Sequence, residues 1–271
     1  MHSRKSFLEI YDKNTSEIIN YMSNDIVNEI SFHNVGWTIE NMDLKVYLKA
    51  SGNRYYDLYV TAAENNVKTI VDVGGFWGAF PLTMLQLGFE VSMTEALKYY
   101  SEYFNPFFQF LNKKGVKIID FDPFEVTYSG DKFDMVCVMA VIEHYPHSLS
   151  FFMENVKKML KNSGKFCFDT PNILYIKNRF NFMMGMSPLP NIKIIYKSRI
   201  PFIGHHHEYT PQEMIDLLAI ADFKIDKLKM YNYSPTRQIN FRNFITKPFS
   251  IIANILFPKT RELIFAIASF K

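Results

Sequence analysis

Cysteine is nearly absent: Cys137 and Cys167 are the only two in 271 residues. That excludes a disulfide-stapled scaffold. Two thiols inside apolar, strand-like runs fit a reducing, cytoplasmic compartment. Long apolar runs are missing as well. No apolar core follows Met1-His2-Ser3-Arg4-Lys5, so no secretory signal peptide is expected. The uncharged stretch from Pro248 to Pro258 is too short to cross a bilayer, which takes roughly 20 residues. A large charge of one sign is lacking too. Thirty basic against 27 acidic residues leave a net +3, too balanced for strong binding to a nucleic-acid backbone. No internal repeat and no low-complexity linker interrupts the chain.

What is present suits one large α/β domain with additions. Hydrophobic residues make up 48%, with 26 Phe and 16 Tyr, so most rings fill a core and some line a pocket or an interface. Residues 1–67 read as a helical layer. Asn14-Thr15-Ser16-Glu17 opens an apolar-periodic run through Ile18, Met22, Ile26 and Ile30, and a second helix covers Tyr55 to Glu64. From Lys68 strands alternate with helices. Strands are expected at Thr69–Val73, Phe89–Met93, Val116–Ile119, Phe133–Met139, Lys165–Asp169 and Phe223–Tyr231. Helices are expected at Ala79–Leu87, at Ser148–Lys161 (stopped by Asn162-Ser163-Gly164) and from the capping box Thr210-Pro211-Gln212-Glu213 to about Ala221. This alternation predicts an α/β fold with a mainly parallel sheet and helices on both faces. The domain spans 68–240, with an insertion at 173–207 and a basic, apolar tail at 241–271.

In such a sheet ligands bind beyond the carboxyl ends of the strands. After the first strand, Asp72-Val73 leads into Gly74, Gly75 and Gly78, where the backbone can turn and approach a ligand without a Cβ clash. The next strand ends at Glu95, an acid suited to both hydroxyls of a ribose. The third leads to Asp120-Phe121-Asp122-Pro123. Asp122 lies further past the strand and is the better partner for an adenine amino group. The fourth ends in Ala140-Val141-Ile142-Glu143-His144, which puts an acid and a histidine at the mouth of the site. A dinucleotide fingerprint is absent, because Phe76 and Ala79 stand where its second and third glycines would be. A P-loop is absent too, so a cofactor without a pyrophosphate is favoured.

In order and spacing, Asp72-Val73-Gly74-Gly75-Phe76-Trp77-Gly78, Glu95, Asp122, Phe133-Asp134-Met135-Val136 and Ile142-Glu143-His144 resemble the successive motifs of class I S-adenosylmethionine-dependent methyltransferases. Leu160-Lys161-Asn162-Ser163-Gly164 and Asp169-Thr170-Pro171-Asn172 continue the match. The chain is similar to the branch of ubiquinone-pathway and cell-surface-sugar O-methyltransferases over about 68–231. The resemblance implies a Rossmann-like seven-stranded sheet and S-adenosyl-L-methionine as cofactor. Asp72, Gly74, Gly75 and Gly78 would lie at its methionine part, Glu95 at the ribose, Asp122 at the adenine, and Ala140 against it from the fourth strand. Phe76 departs from the family's usual glycine, so its ring must turn away from the cofactor or pack over it.

The 173–207 insertion carries Lys177, Arg179, Lys193, Lys197 and Arg199 and no acid, a local +5 in a chain whose remainder is −2. As a lid over the site it is expected to bind an anionic, phosphorylated or sugar-linked acceptor through Arg179 and Arg199, with His205 and His207 also at the acceptor. Of the triplet His205-His206-His207, His206 joins His144 as the preferred proton acceptor, with Glu143 beside them. A divalent metal shared with Glu143 and His144 is the lesser reading, because adjacent histidines do not easily share one tetrahedral site. The expected reaction is methylation of a small molecule at oxygen, with nitrogen as the alternative. A non-catalytic binding protein is the competitor that Phe76 favours. No Asn/Asp-Pro-Pro-aromatic tetrapeptide follows the fourth strand, which argues against a nucleic-acid substrate. The tail, with Arg242, Lys247, Lys259, Arg261 and Lys271 against Glu262, suits a domain or homodimer contact or, less so, a peripheral membrane contact.

Overall fold

In the computed structural model, residues 1–36, 44–232 and 257–271 are described. Seven strands form one sheet: β1 (Thr69–Val73), β2 (Glu90–Glu95), β3 (Lys117–Asp120), β4 (Phe133–Met139), β5 (Leu160–Pro171), β6 (Phe223–Tyr231) and β7 (Leu263–Phe270). Their spatial order is β3-β2-β1-β4-β5-β7-β6. Strands β1 to β5 are parallel, and β7 runs antiparallel to both β5 and β6. The order reverses at β1, which pairs β2 on one side and β4 on the other. A crevice therefore opens beyond the ends of β1 and β4, where a doubly wound sheet binds its ligand.

The central strands are apolar on both faces because both faces are covered. On one face, α1 (Arg4–Ile19), α3 (Leu44–Glu64), α4 (Ala79–Gln86) and α5 (Asn105–Lys113) pack together. Phe7, Tyr11, Leu58, Phe80 and Phe107 share a core there with Ile70 and Met135. On the other face, α6 (Ser150–Met159) and α9 (Pro211–Ile220) bury Phe152, Val156 and Leu218 against Val71, Val136 and Phe166. Neighbouring strand residues thus face opposite cores, as the pleat requires. The capping box at α9 forms as expected: the Thr210 hydroxyl accepts from the Glu213 N–H, and the Glu213 carboxylate accepts from the Thr210 N–H.

Several boundaries differ from the sequence expectation, α3 for one beginning at Leu44 rather than Tyr55, and three differences change the packing. Asn14-Thr15-Ser16-Glu17 does not open a helix but lies within α1, whose cap is Ser3. Asn14 and Thr15 are buried, and Asn14 donates to the Thr83 hydroxyl at 3.1 Å, a tertiary bond that no local pattern announces. The chain breaks at Asn20–Ser23, and Ser23 caps α2 (Asn24–His33). Asn162-Ser163-Gly164 does end α6, but the segment then continues as the start of β5, with a register irregularity against β4. The third difference concerns the tail. Its residues 263–270 are not an appended segment: they form β7, inside the sheet and buried from Leu263 to Ala268. The domain therefore does not end at 240. These apolar side chains are core and cannot lie on a bilayer. Residues 241–256 of the tail lie outside the described residues.

Candidate active site

Beyond the ends of β1, β2 and β4 lies a cavity of about 1200 Å³. Its two ends differ in chemistry.

The first end is built from β1, β2 and the loop after β3. Gly74, at φ 68°, turns the chain away from β1 in the left-handed region and lines the cavity. Asp72, Gly75 and Gly78 stand behind that wall rather than in it. A Cβ on Gly75 would meet Asp72 Oδ2 at 2.5 Å, and one on Gly78 would meet Leu111 Cδ1 at 2.6 Å. These two glycines thus serve close packing beneath the loop. Asp72 is buried, and burial together with the nearby Glu95 holds its carboxyl well above the usual range. Phe76 lines the cavity, packed on Trp77 and stacked on Tyr100.

Glu95 ends β2. Its Oε2 accepts from the Tyr100 hydroxyl at 2.5 Å, while the buried Oε1 has no partner among the described residues. Burial pushes its pKa up to about 7, against the lowering effect of bonds from Tyr100 and the Phe76 backbone. Of the two acids after β3, Asp120 is exposed and accepts from the Leu97 N–H at 3.0 Å. Asp122 is buried, pairs with Lys98 at 3.1 Å and lines the cavity beside Phe121. A diol facing Glu95 Oε1 and an aromatic base between Phe121 and Asp122 fit this end. Ala140 closes it from β4 at φ 57°, a conformation costly for a residue with a Cβ and found here at the cavity wall.

The second end is held by a short 3₁₀ turn, Ile142–His144, and by the segment before α9. Glu143 has 0% exposure. Thr170 donates to its Oε2 at 3.3 Å, and its Oε1 has no partner among the described residues. Burial raises its pKa to about 7, partly offset by His205. The Glu143 carbonyl accepts from the His206 N–H at 2.7 Å, which ties the histidine segment to the turn. His205 Nδ1 lies 2.9 Å from Glu208 Oε1. A carboxylate only accepts, so Nδ1 carries the proton and Nε2 keeps its lone pair. Burial would lower the His205 pKa, but Glu208 and Glu143 outweigh it and the net shift is upward. His144 Nδ1 likewise donates to the Ile203 carbonyl at 2.8 Å, yet burial and the neighbouring His205 drop its pKa to about 4.

One ligand atom from each of Glu143, His144 and His205 lies within 4.8 Å of the others. A carboxylate and two imidazoles could hold a divalent cation, and only one of the three adjacent histidines takes part. The same lone pairs serve equally as a proton-accepting group.

The fold reorders the other candidates. His206 lines the cavity, but its ring Nε2 donates to the Phe202 carbonyl at 3.1 Å, so it stays outside the cluster. His207 is exposed, faces Glu213 at 3.8 Å and does not line the cavity. Arg179 and Arg199 are also outside the wall. Arg179 Nε donates to the Leu174 carbonyl at 3.0 Å, and the Arg199 guanidinium sits 4.4 Å from the Phe32 ring centroid. Both residues are exposed, and neither lines the cavity. Three residues were missed, Arg54, Tyr231 and Glu208. Arg54, 4% exposed on α3, lines the cavity and faces Asp169 at 3.6 Å. Tyr231 donates to the same carboxylate at 2.9 Å. Nothing adjacent to Arg54 in the sequence signals a partner 115 residues away. Glu208 had a signal, its spacing of three from His205.

The sequence profile of a family described as a methyltransferase domain matches residues 45–228. No curated protein matches the chain by sequence. Several solved structures share the fold. The glycopeptide N-methyltransferase MtfA, complexed with S-adenosylmethionine, is 10% identical with a TM-score of 0.52 over 80% of this chain and 93% of that one. The magnesium protoporphyrin IX methyltransferase of Synechocystis, with S-adenosylhomocysteine bound, is 12% identical with a TM-score of 0.55 over 85% and 88%. The 1,6-didemethyltoxoflavin-N1-methyltransferase of Burkholderia thailandensis is 12% identical with a TM-score of 0.53 over 100% and 92%.

Proposed function

The chain belongs to the methyltransferase-domain family, and on that premise we propose that it transfers a methyl group from S-adenosylmethionine to a hydroxyl of a small polar or sugar-linked acceptor. Bound cofactor supplies an electrophilic methyl on a sulfonium. Glu95 Oε1 would accept from a ribose hydroxyl, Asp122 and Phe121 would hold the adenine, and Gly74 and Ala140 would offer backbone to the methionine part.

The observation that carries the oxygen acceptor is the cluster of Glu143, His144 and His205 at the far end of the same cavity. An alcohol needs its proton removed as it attacks, whereas a neutral amine attacks through a free lone pair. His205 is the proton acceptor. Glu208 fixes its tautomer, and the charges of Glu208 and Glu143 stabilise the imidazolium that forms, the division of labour of a His–carboxylate pair. His144, with its pKa near 4, stays neutral and orients the acceptor hydroxyl. Alignment of the two reactants supplies most of the rate. The phosphate-binding role expected of Arg179 and Arg199 is not carried forward, because neither lines the cavity.

Calorimetric titration with S-adenosylhomocysteine is expected to show one site per chain, and absence of binding would sink the reading. Methyl transfer is expected to survive a chelator. Loss of turnover on chelation, restored by a divalent cation, would hand the Glu143–His144–His205 cluster to a metal instead.

A further inference from the structure

The insertion after β5 presents apolar side chains outward. Helices α7 (Ile176–Met183) and α8 (Ile192–Lys197) bury none of their residues. Met183 is 80% exposed, Met184 74%, Ile192 72%, Tyr196 88% and Ile200 94%. Large apolar side chains scattered singly over a surface need no explanation, but a concentration of them in one short segment does. Lys177, Arg179, Lys193, Lys197 and Arg199 are exposed in the same segment, which holds no acid.

We propose that residues 176–203 dock on an anionic lipid bilayer, their cations at the headgroups and their apolar side chains in the interface. Both halves of the surface find a complement there. A polybasic segment is attracted to anionic lipid, and exposed Met, Ile and Tyr side chains leave water at the headgroup boundary. A second copy of the chain on the same face would bring five cations against five with no acid between them, which electrostatics opposes. A nucleic-acid backbone would match the cations and leave the apolar side chains in water. The insertion also lines the cavity through Tyr175, Asn178, Phe202 and His205. Docking therefore sets the cavity beside the membrane surface, a location for the activity proposed above that does not depend on its acceptor.

Cosedimentation of the full chain with phosphatidylcholine vesicles, with and without phosphatidylglycerol, tests this. The expected result is binding to the mixed vesicles alone, weakening with salt. At about 1 kcal/mol per cation, K177Q/K193Q/K197Q is expected to weaken partition on the order of a hundredfold. M183S/M184S/Y196S is expected to abolish it, with unfolding midpoint and S-adenosylhomocysteine binding unchanged, since none of the three is buried. Wild-type chain that stays in the supernatant, or variants that bind as it does, would overturn docking. A dimer in sedimentation velocity that M183S/M184S/Y196S dissolves would also overturn it, giving the face to a second copy. Intact S-adenosylhomocysteine binding in a chain that ignores vesicles would sink the docking and leave the methyltransferase reading standing.

Discussion

At the scale of single residues, burial decides which group does the chemistry. Strand-end logic selects His144 and the triplet adds His206, yet burial lowers the basicity of His144 and the His206 ring turns to the Phe202 carbonyl, outside the cluster. His205 gains the proton affinity that His144 loses, through Glu208 and Glu143. His205→Ala is expected to lower kcat by about 10²–10⁴-fold with S-adenosylhomocysteine affinity unchanged, and His144→Ala to cost less. The kcat–pH profile should rise through about 7, as Glu143 ionises. In Glu143→Gln that rise is expected to disappear and the proton affinity of His205 to fall, because the carboxylate that raised it is gone. An unchanged rise would place Glu143 outside the reaction. Stability carries the opposite sign. Glu95 and Glu143 hold their protons more tightly folded than unfolded, with pKa values raised from 4.5 to about 7. Their contribution is complete below pH 4.5 and lost as pH climbs through about 7. The urea midpoint of the cofactor-free chain should fall across that window, and Glu95→Gln should flatten the fall.

At the scale of elements, the loop after β1 is as much a packing device as a binding one. Gly78 caps α4 at φ 64°, and a side chain there would strike Leu111 of α5. Gly78→Ala is expected to destabilise by about 1–3 kcal/mol in urea unfolding. Pairing it with Leu111→Ala relieves the clash but not the backbone strain, so the coupling should be partial. A Gly78→Ala chain as stable as wild type would show that the loop can shift. The loop glycines are conspicuous in sequence because glycine is scarce, but whether each meets a ligand or a neighbouring side chain is settled by α5. Helix α3 shows the reverse: its one buried cation, Arg54, reaches the cavity from a layer that reads as an appendage.

At the scale of the whole molecule, the last strand in sequence is an interior strand in space. β7 lies between β5 and β6, and Leu263, Ile264, Phe265 and Ile267 are buried. At about 1.5–3 kcal/mol per buried side chain, those four contribute about 6–12 kcal/mol, comparable with the whole stability of a domain at about 5–15 kcal/mol. A chain ending at Asn240 is therefore expected to lose cooperative unfolding and to aggregate. A soluble truncation with a sharp thermal transition would contradict the assignment of β7 to the core.

The sequence by itself determined the alternation of strands and helices, the crevice beyond the strand ends, and the acids Glu95, Asp122 and Glu143 placed there. Each follows from local periodicity, which fixes where a strand stops and hence which residue stands at its end. Tertiary structure decided the rest. Periodicity carries no information on how deeply a side chain is buried or on which distant residue it meets. Only the folded chain could set Arg54 against Asp169, turn Arg179 and Arg199 outward, put residues 263–270 of the tail into the sheet, and raise the proton affinity of His205 rather than that of His144.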